Sequence, residues 1–561
     1  MNAERLLQHY EQIADAPDAI ARLRRFILDL AVRGKLVPQD PADEPAMALC
    51  TKIRLERQRR IDSGSFRSTK RLEFGEEHAF PFGAPNGWCW VPANEVWEFE
   101  NGDRSKNYPS RDHFVPSGVP FVNAGHLAGG TVAFDDMNYI TEEKYHKLSG
   151  GKLRRGDQIY CLRGSLGKHA VYDFDRPAAV ASSLVILRPV LAELVPYLRV
   201  YLDSDVSLMM LRRFDNGTAQ PNLSSANLRL FEIPLPPLAE QHRIVAKVDE
   251  LMALCDELEA ARTERETKRD QLAAASLARL NTPDPETFRD DARFALDALP
   301  ALTARPDQIK QLRQTILNLA VRGKLVQQDP ADEPADVIGV ADVGDDEGRL
   351  NALIPSSWQW VRVADVADAR LGKMLDKAKN HGKPYPYLRN TNVHWFDVRL
   401  DDLKLIPLST AEFEEYQLRR GDVLICEGGH GIGRTAVWKS DISNVVFQKA
   451  LHRVRPGPTL NPDFFSFCCL VYYEAGIMQT YFTGVGIPHF TGRALSKLVF
   501  PLPPLAEQHR IVAKVDELMA LCDQLETSLT SADETRKKLL DALLAEALAP
   551  VDAEALQEAA E

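Results

Sequence analysis

Residues 234–259 read PLPPLAEQHRIVAKVDELMALCDELE, and residues 501–526 read PLPPLAEQHRIVAKVDELMALCDQLE. One of the 26 positions differs, Glu257 against Gln524, which exceeds anything a shared amphipathic pattern would enforce. The chain is therefore a tandem duplication, and its function must explain two similar halves. In the first copy Ile244, Val248, Leu251, Cys255 and Leu258 alternate steps of four and three residues, as do Ile511, Val515, Leu518, Cys522 and Leu525 in the second. That spacing is an a/d seam, and it predicts a long helix opened by the PLPP turn. The helices are expected to continue through ARTERETKRDQLAAASLARL to Leu280 and through ETRKKLLDALLAEALA to Ala549. About 40 residues at ~1.5 Å rise make a rod on the order of 60 Å. Two such seams in one chain can pack on each other, most simply antiparallel about a pseudo-twofold axis. In the competing reading each helix covers its own domain.

A second repeat lies upstream of each half. From residue 23 to 46, 20 of 24 positions match residues 312–335, including AVRGKLV and QDPADEPA. Pro17 or Pro306 opens the segment, Ile20, Leu23, Ile27 and Leu30 or Ile309, Leu312, Ile316 and Leu319 fall at helical spacing, and Gly34 or Gly323 stops it. After the first copy, Lys52, Arg54, Arg57, Arg59, Arg60, Arg67, Lys70 and Arg71 face only Glu56 and Asp62. This run reads either as a basic helix end and loop that tracks phosphates or as a solvated linker. The second half has an acidic linker there, DVGDDEGR at 342–349.

Between these repeats each half holds about 150 residues of short apolar runs and turns, where similarity thins to a skeleton. NGWCWVPANEV (86–96) answers SSWQWVRVADV (356–366), and PFVNAGH from Pro120 answers PYLRNTN from Pro386. LRRGDQIYC (153–161) answers LRRGDVLIC (418–426), a Gly-Asp turn feeding a buried strand. FDNGTAQPNLS (214–224) answers YFTGVGIPHFT (481–491), keeping Gly217 with Gly484 and Pro221 with Pro488. Shared glycines, prolines and core residues with divergent polar residues describe one fold carrying two different surfaces.

The 561 residues suffice for three or four domains, and 45% hydrophobic with 26% charged residues excludes a disordered chain. A net charge of −12 excludes attraction of nucleic acid by the molecule as a whole, so such contacts need local basic faces. The eight cysteines form no C-x-x-C pair and read as reduced, buried thiols, without a structural metal. The first residues lack a signal-type apolar core and no run approaches 18 apolar residues, so a soluble, cytoplasmic protein with no membrane partner is expected.

Catalytic patterns are partial. Gly428, Gly433, Arg434 and Thr435 imitate a phosphate loop with Arg for the required Lys, and CLRGSLGKH in the first half breaks the pattern. Phe482, Gly484 and Gly486, with Asn461-Pro462-Asp463-Phe464, approach adenine-methyltransferase signatures, but Asp463 stands where the second proline belongs. Glu142-Glu143-Lys144 lacks the Pro-Asp partner of a nuclease. No catalytic residue and no metal ligand is assigned.

Recognition remains. The candidate DNA-binding residues in the first variable region are Arg104, Lys106, Asn107 and Arg111, then Arg163, Ser165 and Lys168 in a Gly-rich turn, and Asn216, Gln220 and Asn222. In the second they are Arg370, Lys373, Lys377 and Lys379, with Asn390, Arg434, Thr483 and His489. Arg and Lys would position phosphates or read guanine, and Asn and Gln can read adenine bidentately. Ordinary surface polarity competes with base contact at each position.

Two divergent regions alternating with two near-identical helical ones, carried by LAVRGKLVPQDPADEPA and PLPPLAEQHRIVAKVDELMALCD, resemble the specificity subunits of type I restriction-modification systems. The resemblance covers essentially the whole chain. It implies an α+β fold: two mixed α/β target-recognition domains separated by a pair of long antiparallel, coiled-coil helices in a pseudo-twofold tandem repeat. The expected boundaries are an N-terminal conserved segment at 1–79, recognition domains at 80–233 and 351–500, spacer helices at 234–280 and 501–561, and a central linker with a conserved helical segment at 281–350. The resemblance also implies a non-catalytic chain that binds a bipartite, asymmetric double-stranded DNA target. It would recruit two methyltransferase subunits and two restriction-translocase subunits, with S-adenosylmethionine, ATP and Mg held by those partners and no cofactor here. The alternatives are a catalytic DNA adenine methyltransferase and a coiled-coil adaptor that does not touch DNA. The N-terminal segment, matching the central one, is expected to pack near the C-terminal helix.

Overall fold

The computed structural model of the chain describes residues 15–548 except 17, 67–71, 73, 75–77, 216–221, 283, 285, 335–353, 377–379, 485 and 487. It forms two units, Met1–Glu264 with Asp533–Glu561, and Arg265–Ala532. The acidic linker at 342–349 and Arg67, Lys70 and Arg71 lie outside the described residues.

The first unit opens with helices α1 (Ala19–Val32) and α2 (Ala46–Asp62). Its larger sheet has the strand order 97–101, 184–189, 157–161, 169–172, 130–132, 127–128. Its smaller sheet runs 114–115, 138–140, 119–122, 178–180, 152–153. Pairing is antiparallel except where 130–132 meets 169–172 and 119–122 meets 178–180. Strand Leu184–Pro189 is buried at every position, which is why LVILRP is a continuous run rather than an alternating one. Its one charge, Arg188, reaches both Asp157 oxygens at 2.9 and 2.8 Å and Glu100 at 2.8 Å. Asp157 is the acid of LRRGD, so that turn signal marks a buried ion pair as well as a bend. Helices α3 (Val195–Asp203) and α4 (Asp205–Phe214) follow. Strand Cys89–Pro92 pairs antiparallel with Glu232–Leu235, so the domain closes where it began and feeds directly into α5 (Leu238–Asn281).

In the second unit α6 (Phe288–Asp297) and α7 (Pro306–Val321) precede the mixed domain, so the proline-spaced stretch between the halves is largely helical. A sheet of order 367–371, 451–456, 423–426, 435–437 reproduces the first four strands of its counterpart. The strands 404–408, 383–388, 446–447 reproduce the middle of the other sheet. Arg455 grips both oxygens of Asp422 at 2.7 Å, as Arg188 does Asp157. Helix α8 (Pro462–Glu474) occupies the α3 position, and strand Gln359–Arg362 pairs with Val499–Leu502 before α9 (Leu505–Leu548).

The PLPPLAEQHR segment is a joint. Glu240 accepts from Trp88 Nε1 at 2.9 Å, Gln241 donates to the Pro236 carbonyl at 2.9 Å, and Arg243 holds Asp43 of the DPAD segment at 2.6 and 3.2 Å. In the second unit Glu507 accepts from Trp358 at 3.0 Å, Gln508 donates to Pro503 at 2.8 Å, and Arg510 holds Asp332 at 2.7 and 3.0 Å. Near-identity of the two copies follows at Glu240, Gln241 and Arg243 and their counterparts Glu507, Gln508 and Arg510, each of which has a fixed partner.

Within each unit the seam residues meet their own domain. Ile244, Val248 and Cys255 are buried in the core that holds Trp88, Tyr197 and Phe231, with Leu251 packed against it. Ile511, Val515 and Cys522 lie in the core of Trp358, Phe464 and Phe500, with Leu518 and Leu525 against it. Leu258 remains 38% exposed. Each seam thus anchors its helix to its own domain, because burying each aliphatic side chain there is worth about 1.5–3 kcal/mol.

The long helices do not end in the unit where they start. The last part of α5 packs Ala273, Leu277 and Leu280 with Ala295, Leu302 and Leu312 of the second unit. Arg305 binds Glu266 at 3.2 Å and Asp270 at 2.6 Å there. The last part of α9 belongs to the first unit: Leu540 is buried with Ala16 and Ala19, Arg22 pairs with Asp541, and Lys35 donates to the Leu548 carbonyl at 2.8 Å. The expected packing of the N-terminal segment near the C-terminal helix is therefore present.

Three arginines of the basic run lie on α2 and have partners in the first recognition-type domain. Arg54 pairs with Glu95 at 2.7 Å, and Arg57 and Arg60 donate to the carbonyls of Trp97 and Pro189 at 3.2 and 3.4 Å. The guanidinium groups dock the helix onto the first recognition-type domain.

Candidate nucleic-acid interface

In the first unit a glycine-rich turn follows strand Asp157–Cys161 and is closed by Cys161 N–H donating to Lys168 O at 2.8 Å. Leu162 N–H donates to Ser183 O at 2.8 Å, and Leu223 N–H to Leu162 O at 3.0 Å. Arg163 and Asn222 are thereby set side by side in an antiparallel bridge. Behind them Gly102 approaches Ala181 O so closely that a Cβ would collide with it, and Arg104 donates to Ser182 O at 3.4 Å. Arg163, Ser165, Lys168 and Asn222 are exposed, so one surface presents two cations with hydroxyl and amide groups.

The second unit repeats this framework bond for bond. Cys426 N–H donates to Arg434 O at 2.9 Å, Glu427 N–H to Ala450 O at 2.9 Å, and Phe490 N–H to Glu427 O at 2.7 Å. Gly428 and His489 form the matching bridge, and Gly372 makes the matching approach to Gln448 O. Thr483 and His489 exchange backbone hydrogen bonds at 2.8 and 2.7 Å, Asn390 donates to Gly428 O at 3.4 Å, and His489 Nδ1 lies 3.3 Å from Glu427 Oε1. Arg434, the counterpart of Lys168, folds back over Gly431. Arg163 is thus replaced by a glycine, Asn222 by an imidazole beside a carboxylate, and Leu162 by Glu427. Identical backbone bonding with unlike side chains gives the two surfaces different donors and acceptors at matched points.

Other sequence candidates fall elsewhere. Asn107 donates to Lys147 O at 2.9 Å, and Arg111 sits in its own turn, Arg111–His113, with exposed Lys106 in the loop before it. Arg370 and Lys373 are neutralised by Glu415 and Glu412 at 2.6 and 2.5 Å. The Lys373 ammonium, with the Ser409 N–H and hydroxyl, draws the Glu412 carboxyl down to about 2, so the pair is charged and closed at neutral pH. Asn216, Gln220, Lys377 and Lys379 lie outside the described residues. Sequence reasoning missed Ser182 and Ser183 and, at the matching positions, exposed Lys449 and Ala450; the Lys449 N–H donates to Lys373 O at 2.9 Å. Aligning VASSLVILRP with FQKALHRVRP ahead of the longest strands exposes that segment.

The catalytic look-alikes resolve into scaffolding. Asn461 caps α8, accepting from Asp463 and Phe464 N–H at 2.9 and 3.3 Å, and Phe464 is buried edge-on to Trp358 rather than offered to a base. The Gly428–Thr435 loop feeds strand Thr435–Val437, so it lacks the helix N-terminus that a phosphate loop needs. Glu142-Glu143-Lys144 begins a short exposed helix, Glu142–Lys147, capped by Thr141. Among the described residues no helix is long and apolar enough to cross a membrane.

The type I restriction modification DNA specificity domain profile matches residues 85–266 and 355–532. The EcoAI type I restriction enzyme specificity subunit of Escherichia coli is 27% identical over 563 residues, covering 93% of this chain and 93% of its own. The EcoEI specificity subunit of the same species is 26% identical, covering 94% of each. A crystal structure of the HsdS subunit from Thermoanaerobacter tengcongensis is 21% identical and covers 83% of this chain and 98% of its own, with a TM-score of 0.44. The two matched spans take in the Trp-x-Trp strand, both glycine-rich turns and the first part of each long helix, more than half of the sequence. With the duplicated joints and the paired but unlike surfaces, they establish that this chain belongs to the type I restriction-modification DNA specificity family.

Proposed function

We propose that the chain is the DNA-reading subunit of a type I restriction-modification complex and that each unit reads one part of a bipartite, asymmetric target from the major-groove side. The matched backbone at Arg163/Asn222 and Gly428/His489, carrying unlike side chains, supports this most directly. Arg163 has the bidentate donor geometry that suits guanine, and Asn222 the amide that suits adenine. His489 beside Glu427 offers a different pattern to the other part of the target. Exposed Lys168 and Lys449 supply cations that would hold phosphates and fix the register.

The chain carries no reaction itself in this reading. Two methyltransferase subunits, and in the full assembly two restriction-translocase subunits, supply S-adenosylmethionine, ATP and Mg chemistry. The duplicated joints at Trp88–Glu240 and Trp358–Glu507 support two equivalent attachments, because near-identical structure repeated in one chain presents the same face twice.

Exchange of residues 80–233 for the corresponding region of another family member, followed by mapping of methylated adenines in cells that also hold the methyltransferase partner, tests the proposal. One half of the methylated sequence should change and the other persist. An unchanged sequence would favour a non-reading adaptor, and methylation by the purified chain alone would overturn the non-catalytic assignment.

A further inference from the structure

Cys50 on α2 and Cys89 at the start of strand Cys89–Pro92 place their sulfurs 3.0 Å apart. Cys50 is 1% exposed, whereas Cys89 is partly open to solvent. Neither the joint nor the recognition surface uses either thiol. Both ride on elements held in place independently, α2 by Arg54 on Glu95 and the strand by its antiparallel pairing with Glu232–Leu235. A disulfide needs the sulfurs at about 2.0 Å, a closure of about 1 Å from where they stand. The second unit has Gln359 at the Cys89 position, so the feature belongs to the first unit alone.

We propose that Cys50 and Cys89 form a redox modification site at which a hydroperoxide joins them in a disulfide, fixing α2 to the first strand of its domain. The Cys89 sulfur, the one open to solvent, attacks one peroxide oxygen, the O–O bond breaks, and Cys89 becomes a sulfenic acid while the departing hydroxide takes the thiol proton and leaves as water. The Cys50 sulfur then attacks the Cys89 sulfur, its proton leaves with the sulfenic hydroxyl as a second water, and the S–S bond forms. Two thiols lose two electrons and the peroxide gains them. Exposure favours this direction: Cys89 is open to solvent, and Cys50, 1% exposed, lies 3.0 Å behind it. Cys50 is accordingly the resolving thiol.

The test is thiol counting and peptide mapping on the purified full chain treated with one equivalent of hydrogen peroxide. The expected result is loss of two of the eight free thiols and one disulfide-linked peptide pair joining Cys50 to Cys89, reversed by dithiothreitol. Under the same treatment Cys50→Ser should leave Cys89 to be trapped as a sulfenic acid by dimedone, without forming a crosslink. Retention of all eight thiols, or a crosslink through any other cysteine, would overturn the assignment.

Discussion

Trp88 Nε1 donates to Glu240 Oε2 at 2.9 Å across 152 residues, and Trp358 donates to Glu507 at 3.0 Å across 149. Each bond ties the first strand of a domain to the helix that leaves it. Burial pushes both carboxyl groups above their ordinary 4.5, and the indole bond only partly offsets it. A carboxyl whose folded value is raised contributes stability that is complete below 4.5 and is lost as pH rises through that raised value. Glu240→Gln keeps an acceptor for Trp88 and removes this loss. It should be at least as stable as the parent at pH 7 and lose that advantage toward pH 4.5, whereas Glu240→Ala should cost about 1–3 kcal/mol. Denaturant melts across that pH range check it; equal destabilisation by Gln at every pH would contradict the account.

Gly372 and Gly102 permit the close approach of the segments carrying Gln448–Lys449 and Ser182–Ser183. Gly372→Ala should push the 448–450 segment away from the Glu427 turn, at about 1–3 kcal/mol for the steric conflict. Specific DNA binding through the second unit should fall more than through the first. Competition binding of the assembled complex against targets altered in one half at a time measures the difference.

Arg163→Ala should weaken binding about 10- to 100-fold and relax preference at one position of a single half-site. His489→Ala should do so only in the other half. Lys168→Ala should instead weaken binding evenly across sequences and lower the salt slope by about 0.9. Loss of preference in both halves from any one substitution would refute the one-unit, one-half-site assignment.

Leu540 is fully buried against Ala16 and Ala19 although it lies at the far end of the chain. Leu540→Ala should cost about 2–5 kcal/mol. Hydrogen exchange should show the loss first in α1, residues 19–32, and little change in α7. Uniform loss in both helices would argue against the assignment of the α9 tail to the first unit.

The duplication, the two long helices and the two mixed domains were legible because PLPPLAEQHR and LRRGD each carry bonds that tolerate little change: Trp88 to Glu240, Arg243 to Asp43, Arg188 to Asp157. The pairing of Arg163 with Asn222 and of the Gly-rich loop with His489 was half legible. Aligned glycines and prolines placed those residues at equivalent positions, but the backbone bridges that bring them together join segments 59 and 61 residues apart, which no local pattern encodes. Ser182 and Lys449 were missed because a surface loop between two buried strands carries no periodic signal. The a/d spacing specifies an apolar stripe and not what the stripe meets, so the packing of the first seam against Trp88, Tyr197 and Phe231 could not be read from it.

The exchange of helix ends also bears on how the protein is made. Ala16 and Ala19 leave the ribosome more than 500 residues ahead of their partner Leu540. Domains usually complete themselves in order of emergence, at about 5–20 residues per second. Here the first unit must wait for the whole of the second before its last helix turns arrive. A nascent or prematurely terminated chain therefore displays an unfinished first unit with an open apolar seat at α1, a state that proteases and chaperones can distinguish from the finished protein. Only a chain synthesised through Leu540 closes both units, so a chain able to direct DNA modification with half of its reading apparatus is disfavoured at the level of folding itself.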